Sequence, residues 1–349
     1  MAYTTIDNPE LYFQTKLYTG NSGTNAITFD GSENMKPDWV WLKRRDSGSN
    51  NHRLCDSVRG VNKQIYSSSN GAEGTSSGVV QSFDSNGFTL NTSDSSVNVG
   101  SYVSWNWKAG TSFTNDASST GIGSIDSTGS VSTDAGFSIV TFTNSGSGVD
   151  TIAHGLGEAV VPTVVIAKTR SHANGWFMYH KDIGNTKFLR LETTGAATAN
   201  TMWNNTTPTS TVFSLNSGNI GTSRNIVAYC FAEKKGYSKF GSYVGNGNVS
   251  GSYIHLGFKA AWVMFKQTNT TSNWTIYDTT RDTFNVMEDK IHPNTSGGES
   301  DFTGLDALSN GFKFRTNEGT FNASGGSFIY MAFAKNPFVS SSGVPACAR

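Results

Sequence analysis

Short apolar runs alternate with clusters of Gly, Ser, Asn and Thr along the whole chain. The runs are about five to eight residues long, and many alternate apolar with polar positions, which is the period of a β-strand. We find no amphipathic helix pattern longer than about ten residues. Turn-forming clusters at roughly ten-residue spacing are typical of antiparallel sandwiches. The pattern therefore predicts an all-β fold.

The apolar runs fall into three units of about 100 residues that share anchor positions. Lys43, Lys168 and Lys266 each close an apolar run, and an aromatic residue lies about 25 residues before each of them. Further aromatic anchors follow about 45 and about 65 residues after each lysine. This agreement predicts three tandem antiparallel β-sandwich repeats of jelly-roll or lectin-like type. Three such units are too few to close a propeller.

The anchors also set the predicted domain boundaries. Residues 111–135 are rich in Gly, Ser and Thr and poor in large apolar side chains, which is typical of a linker. We therefore expect a first repeat with a short leader, a Gly/Ser-rich linker, a second repeat, and a third repeat with a C-terminal tail. Their bounds are 1–110, 111–135, 136–236 and 237–349. The tail beyond Pro345, residues 346–349, is expected to be exposed.

A Ser-Asn-Gly-Phe string marks the same place in two of the units. It runs from Ser85 to Phe88 in the first unit and from Ser309 to Phe312 in the third, and the second unit retains Phe213 there. Asn and Gly tolerate the positive φ angles of tight turns. The string therefore predicts a turn after which the aromatic residue enters the core.

Charge and cysteine content exclude several classes of protein. The chain has 26 Lys and Arg against 26 Asp and Glu, so its formal net charge is zero and no basic stripe is present for nucleic acid. No apolar run approaches the length of a membrane span, and the N-terminus does not have the pattern of a signal peptide. The three cysteines are too scattered for a disulfide framework or a zinc site. We expect neither nucleic-acid binding nor membrane insertion.

Two Asp/Arg pairs with the same internal spacing follow the second apolar run of units one and three. They are Asp56 with Arg59 and Asp278 with Arg281, while unit two has His180 in place of the aspartate. Such a pair could line a glycan or metal site, or it could hold a turn by an ion pair. A catalytic pair would not be expected in two units and absent from the one between them. We therefore favour structural turn pairs.

No other residue pattern predicts catalysis. The six histidines are not at metal-ligand spacing, no nucleophile lies in a GxSxG string, and the acidic residues form no pair suited to glycoside hydrolysis. We therefore expect no catalytic residue, no metal, no cofactor and no enzymatic activity.

Most tryptophans occupy matched positions of the units, which favours core packing. Trp203 has no counterpart in the other units and lies in a polar loop with Asn204 and Asn205. Tryptophan rings at a surface can stack on sugars and other ligands. These three residues are the predicted surface or glycan contact.

Several strings resemble a known family. Tyr12-Phe13-Gln14-Thr15-Lys16-Leu17-Tyr18-Thr19-Gly20 near the start, Ser104-Trp105-Asn106-Trp107-Lys108 at the end of unit one, and Tyr330-Met331-Ala332-Phe333-Ala334-Lys335 near the C-terminus are similar to strings in repeat-containing virion proteins of marine tailed bacteriophages, including those of cyanobacteria. The resemblance covers essentially the whole chain. That family supplies no catalytic motif to transfer.

The resemblance implies a non-enzymatic structural protein on the virion surface, of tail or fibre type. A tail-fibre or receptor-binding component that contacts the host cell surface is the first hypothesis, and a capsid-decorating or other purely structural protein is the second. An envelope-polysaccharide hydrolase is the least favoured. The implied partners are other virion proteins of the tail or capsid, a host surface glycan or protein, and further copies of the chain, with a trimer favoured. Assembly in the host cytoplasm is the expected route to the virion.

Overall fold

Strands dominate the structure, a computed structural model that describes residues 3–345. Strands account for 43% of the protein and helices for 4%, and the sheets are antiparallel. The prediction of an all-β fold is therefore confirmed. The predicted exposed tail, residues 346–349, lies outside the described residues.

The first unit folds into two facing sheets. The larger sheet has the order β1-β9-β3-β4 and the smaller one the order β2-β8-β7, while β5 and β6 form a short hairpin. A 3-10 turn at Pro9–Leu11 precedes them. The strands are β1 (Phe13–Thr19), β2 (Thr24–Thr28), β3 (Trp39–Arg44), β4 (Arg53–Asp56), β5 (Lys63–Gln64), β6 (Gly74–Thr75), β7 (Ser82–Asp84), β8 (Gly87–Asn91) and β9 (Ser101–Trp107).

The second unit has the widest sheet. Its order is β10-β11-β12-β19-β14-β15, and the pairs β13-β18 and β16-β17 complete the unit. A helical turn, α1 (Ala117–Thr120), joins the first two strands. The strands are β10 (Thr111–Asn115), β11 (Ser127–Ser132), β12 (Phe137–Thr143), β13 (Val149–Ala153), β14 (Val164–Thr169), β15 (Trp176–His180), β16 (Lys187–Phe188), β17 (Thr198–Ala199), β18 (Val212–Asn216) and β19 (Asn225–Phe231).

The third unit again has two facing four-stranded sheets. Their orders are β20-β27-β22-β23 and β21-β26-β25-β24, and a helical turn, α2 (Gly319–Asn322), precedes the last strand. The strands are β20 (Ser238–Val244), β21 (Tyr253–His255), β22 (Phe258–Gln267), β23 (Thr275–Asp278), β24 (Met287–Lys290), β25 (Ser300–Leu308), β26 (Gly311–Phe314) and β27 (Ser327–Pro337).

The larger sheets of all three units meet in one aromatic core. Trp39 stacks on Tyr229 of unit two with ring centroids 4.3 Å apart, and Trp107 lies 5.6 Å from Phe333 of unit three. Phe231 of unit two lies 5.9 Å from that same Phe333. Each unit therefore packs against both of the others. The three predicted repeats are not separate domains.

The reason is visible in the central strands, which are apolar on both faces. All of β3 from Trp39 to Lys43 is buried, although alternate side chains of a strand point to opposite sides. Trp39 and Trp41 face the shared core, whereas Val40 and Leu42 face the smaller sheet of their own unit. A sheet with two apolar faces must be covered twice.

The predicted linker at 111–135 is wrong, because this segment supplies β10 and β11 of the second unit's sheet. β11 pairs antiparallel with β12 along its length. Ladder hydrogen bonds come from the backbone, so a strand poor in large side chains can still pair. Gly129 even requires a small residue, because a Cβ there would lie 2.1 Å from the Ile139 carbonyl oxygen.

The Ser-Asn-Gly-Phe strings form the turns that the sequence predicts. Asp84 pairs with Gly87 in unit one, so Ser85 and Asn86 form a two-residue hairpin turn, and β25 joins β26 in the same way. Phe88 is fully buried. Glycine is required at position 87, since a Cβ there would lie 1.9 Å from the carbonyl oxygen of Ile27 on the neighbouring strand.

Candidate functional site

Three buried lysines, the matched anchors of the sequence, join the units in a closed cycle. Each ammonium donates to a backbone carbonyl in a loop of another unit. The contacts are Lys43 Nζ to Ser296 O (2.9 Å), Lys168 Nζ to Asn70 O (3.3 Å) and Lys266 Nζ to Thr194 O (3.1 Å). Unit one thus contacts the loop of unit three, unit two that of unit one, and unit three that of unit two. This closure gives the chain a pseudo-threefold arrangement.

The acceptor loops, residues 66–73, 190–197 and 292–299, are called the docking loops here. Each docking loop also donates a backbone N–H to the neighbouring unit, and one of its carbonyls accepts a hydrogen bond from a ring N–H of that unit. The backbone bonds, all 2.8 Å, are Glu73 N to Arg170 O, Ala197 N to Thr268 O and Glu299 N to Arg45 O. The ring contacts are Trp176 Nε1 to Tyr66 O, Trp274 Nε1 to Arg190 O and His52 Nε2 to His292 O, at 2.9, 2.9 and 3.2 Å.

Burial sets the ionisation of the groups in this cycle. Desolvation lowers the pKa of Lys43, Lys168 and Lys266 to about 8 each. Burial also lowers the pKa of His52 well below its ordinary value. The Nδ1 atom of His52 accepts from Trp41 Nε1 at 2.9 Å, so a neutral ring donates through Nε2. The histidine therefore acts as a neutral donor, as the tryptophans do in the other two units.

The Asp/Arg pairs lie at the same interfaces and are fully buried. Arg59 donates to Asp56 from its backbone N–H (2.8 Å) and from Nε (2.5 Å), and Asp278 and Arg281 repeat this geometry. Both side chains of each pair have zero exposure. The ion pair closes a turn of four residues and presents no surface to a ligand.

Each buried aspartate also receives a hydrogen bond from the next unit. Tyr229 Oη of unit two donates to Asp56 Oδ2 at 2.7 Å, and Trp105 Nε1 of unit one donates to Asp278 Oδ2 at 3.0 Å. In unit three the same strand position is Met331, which carries no donor. A buried carboxylate opposite methionine would lack this partner. The residue that faces unit three is accordingly His180, whose Nε2 lies 3.4 Å from the Tyr330 carbonyl oxygen.

Two interfaces carry an additional carboxylate between two arginines. Glu73 in the first docking loop binds Arg59 of its own unit and Arg170 of unit two, and Glu299 in the third binds Arg281 and Arg45 in the same way. The second docking loop has Ala197 at this place. These glutamates extend each Asp/Arg pair into a network that crosses the boundary between units.

The structure contradicts the prediction that Trp203 is a surface contact. The side chain is 1% exposed and lies in the core of unit two, where its ring meets Tyr179 edge-on at 5.8 Å. A loop position without a repeat counterpart still buries a large apolar ring when space under the loop is available. Asn204 and Asn205 are exposed, and both adopt a positive φ of 53° and 51°.

The described part of the chain contains no cluster of three or more His, Cys, Asp or Glu placed to hold a metal ion. His154 is representative of the buried histidines: its ring bonds to the Thr209 carbonyl oxygen (3.1 Å), and burial lowers its pKa to about 4. Within residues 3–345, no helix has the length and apolar character required to cross a bilayer.

Sequence reasoning missed the docking loops. Their shared signal is a glycine after a hydroxyl or amide residue, at Asn70-Gly71, Thr194-Gly195 and Ser296-Gly297. The string is short and its spacing from the lysine anchor varies. The groups that are equivalent in the three loops are backbone carbonyls and N–H groups, and these do not depend on the residue type.

Comparison with known proteins assigns a family without assigning an activity. No curated protein matches the chain. One family model matches residues 8–337, which include all three units and also β10 and β11. The chain therefore belongs to the family described as a domain of unknown function, DUF7483.

Proposed function

We propose that this protein is a non-enzymatic surface component of a tailed-bacteriophage virion, and that it contacts the host cell surface as part of a tail fibre or receptor-binding assembly. The observation that carries the proposal is the closed cycle of three units on one aromatic core. The cycle holds the three units together through hydrogen bonds and through one close-packed core. The sequence resemblance to virion proteins supplies the setting.

Rigid anchoring of dissimilar loops supports a role in recognition. At the end of the sheets where the lysines lie, buried asparagines fix the loops. Asn98 Nδ2 donates to Gly23 O and Thr92 O in unit one, and Asn322 Nδ2 donates to Asn248 O in unit three, all at 2.8 Å. The loops themselves differ in length and sequence between the units. A fixed framework that holds variable loops is the usual design of binding proteins.

The test is competition for adsorption. Purified protein, added to host cells before infection, should bind the cells and slow the adsorption of virions. A variant with Asn204→Asp and Asn205→Asp changes exposed charge in one loop, and a variant with Val249→Asp, whose valine is 63% exposed, changes a loop of another unit. Loss of competition in one variant would locate the contact. Absence of both cell binding and competition would refute the attachment role.

A capsid-decorating role is the second candidate, and the pseudo-threefold arrangement favours it. Three related units around one axis fit a position of local threefold symmetry on a capsid lattice. Virions that lack the protein should then adsorb at the normal rate but lose integrity on heating or osmotic shock. Immunogold labelling of intact virions would separate the two roles, with label on the tail in one case and over the head in the other.

A further inference from the structure

The first strand of the larger sheet has a matched outer edge in each unit. The three strands are β1, β12 and β20, and each pairs on its inner side with the last strand of its unit, β9, β19 or β27. Within residues 3–345, unit two alone has another strand, β11, that pairs with the outer side. The edges of β1 and β20 have no such strand among the described residues.

Hydrogen-bond parity shows which residues of β1 face outward. Gly20 N–H donates to Gly100 O at 2.8 Å, and Lys108 N–H donates to Tyr12 O at 3.0 Å, so both bonds continue the ladder between β1 and β9. Backbone groups of antiparallel strands alternate between the two sides. The even-numbered residues therefore bond to β9, whereas Thr15 and its odd-numbered neighbours direct their N–H and C=O groups outward.

The backbone N–H at the position of Thr15 has a different environment in each unit. Its counterpart in unit two, Ile139, pairs with Ser130 of β11. Its counterpart in unit three, Phe240, donates its N–H to the Glu233 carboxylate at 2.8 Å. For Thr15, no hydrogen bond of the N–H is found within the described residues, and its buried Oγ1 also has no partner there. Of the three matched positions, only that of Thr15 therefore has no hydrogen-bond partner for its N–H among the described residues.

The open edge borders a groove of about 350 Å³ between units one and three. Phe13 and Thr15 line it on one side. Ala261, Thr280 and Lys335 line it on the side of unit three. The groove thus combines unpaired strand groups with small apolar and hydroxyl side chains. Charged groups line it as well, namely Asp30 and the pair of Lys335 with Glu10 at 3.0 Å.

We propose that this groove binds an extended strand from a partner polypeptide, which adds antiparallel to residues 13–17 of β1. The chain itself supplies the precedent, because β11 occupies the equivalent edge of unit two with five residue pairs in register. That strand is Ser-Thr-Gly-Ser-Val-Ser, so the occupant has small and hydroxyl-bearing residues. Because the groove lies between units one and three, a lone strand is favoured over the sheet edge of a second copy, which would bring its facing sheet with it.

The probe is a fluorescein-labelled peptide with the sequence of residues 126–133. In β11, parity directs Ser130 toward β12 and Val131 toward β10, since Ala232 N–H donates to Gly136 O in the β12–β19 ladder. Two isomeric peptides with a single N-methyl group, at Ser130 or at Val131, therefore differ only in which edge is blocked. Anisotropy titrations should show saturable binding of the unmodified and Val131-methylated peptides and at least about tenfold weaker binding of the Ser130-methylated one.

Two proline variants locate the site on the protein. Thr15→Pro removes an N–H that the β1–β9 ladder does not use, and Ser242→Pro does the same at an outward position of β20. Thr15→Pro should abolish peptide binding, and Ser242→Pro should leave it unchanged. If Thr15→Pro disturbs folding, the comparison of the two N-methylated peptides on the native protein still tests whether the peptide pairs with β1.

Three results would overturn the proposal. The first is no binding at peptide concentrations of about 1 mM, and the second is equal affinity for the two methylated peptides. The third is a concentration-dependent dimer that Thr15→Pro abolishes, which would assign the edge to a second copy of the chain. Each result is independent of the virion role, because the peptide assay uses neither cells nor particles.

Discussion

Replacement of Arg59 by methionine should destabilise the protein far more than loss of an ion pair usually does. The side chains of Arg59 and Asp56 have zero exposure, so the substitution leaves a buried carboxylate without its counter-charge. Removal of one partner of a buried pair costs about 3–5 kcal/mol. The backbone N–H of residue 59 and Tyr229 Oη still donate to the carboxylate, which argues for the lower half of that range.

The measurement is the free energy of unfolding in urea, followed by tryptophan fluorescence. Arg315→Met is the matched control, because Arg315 is 48% exposed and pairs with Asp306 at 3.1 Å. An exposed pair contributes about 0–1 kcal/mol. The double variant Asp56→Asn with Arg59→Met should lose less stability than Arg59→Met alone, since no charge remains buried. Equal losses for Arg59→Met and Arg315→Met would refute the reasoning.

Three further predictions follow from burial and close contact. The pKa of each buried lysine is about 8 in the folded protein against 10.5 in the unfolded chain, so the unfolded chain binds more protons between these two values. The free energy of unfolding should therefore rise from pH 8 to 9 by about 1 kcal/mol for each of the three lysines. Lys266→Met should remove about a third of the total rise, measured by urea unfolding at the two pH values. Gly87→Ala should lower the free energy of unfolding, measured by thermal unfolding, by more than about 2 kcal/mol, because the new Cβ would lie 1.9 Å from Ile27 O and φ is 126°. The control is Gly319→Ala, whose Cβ meets no atom within 4 Å, and it should be nearly neutral. Trp203→Ala should lower the free energy of unfolding by about 3–5 kcal/mol, and a loss of cell binding at unchanged stability would contradict the buried position.

Local patterns predicted the local structure well. The two-residue turn and buried phenylalanine of the Ser-Asn-Gly-Phe strings depend on φ angles and on one neighbouring strand, and both are encoded within a few residues. The linker prediction for residues 111–135 is wrong because the strands there carry few apolar side chains. Composition describes side chains, whereas strand pairing depends on backbone hydrogen bonds. Trp203 was misassigned because lack of a repeat counterpart does not measure exposure.

The sequence by itself determined the strand content, the three-unit organisation and the matched lysine, phenylalanine and Asp/Arg positions. Only the tertiary structure decided that the units share one core, that each lysine ammonium enters the docking loop of another unit, and that β1 keeps an open edge. The lysine contacts and the open edge depend on backbone carbonyls and N–H groups, and every residue type except proline carries both alike. The residues joined by the lysine contacts lie 72 to 253 positions apart, where no local pattern of apolar and polar positions can identify them.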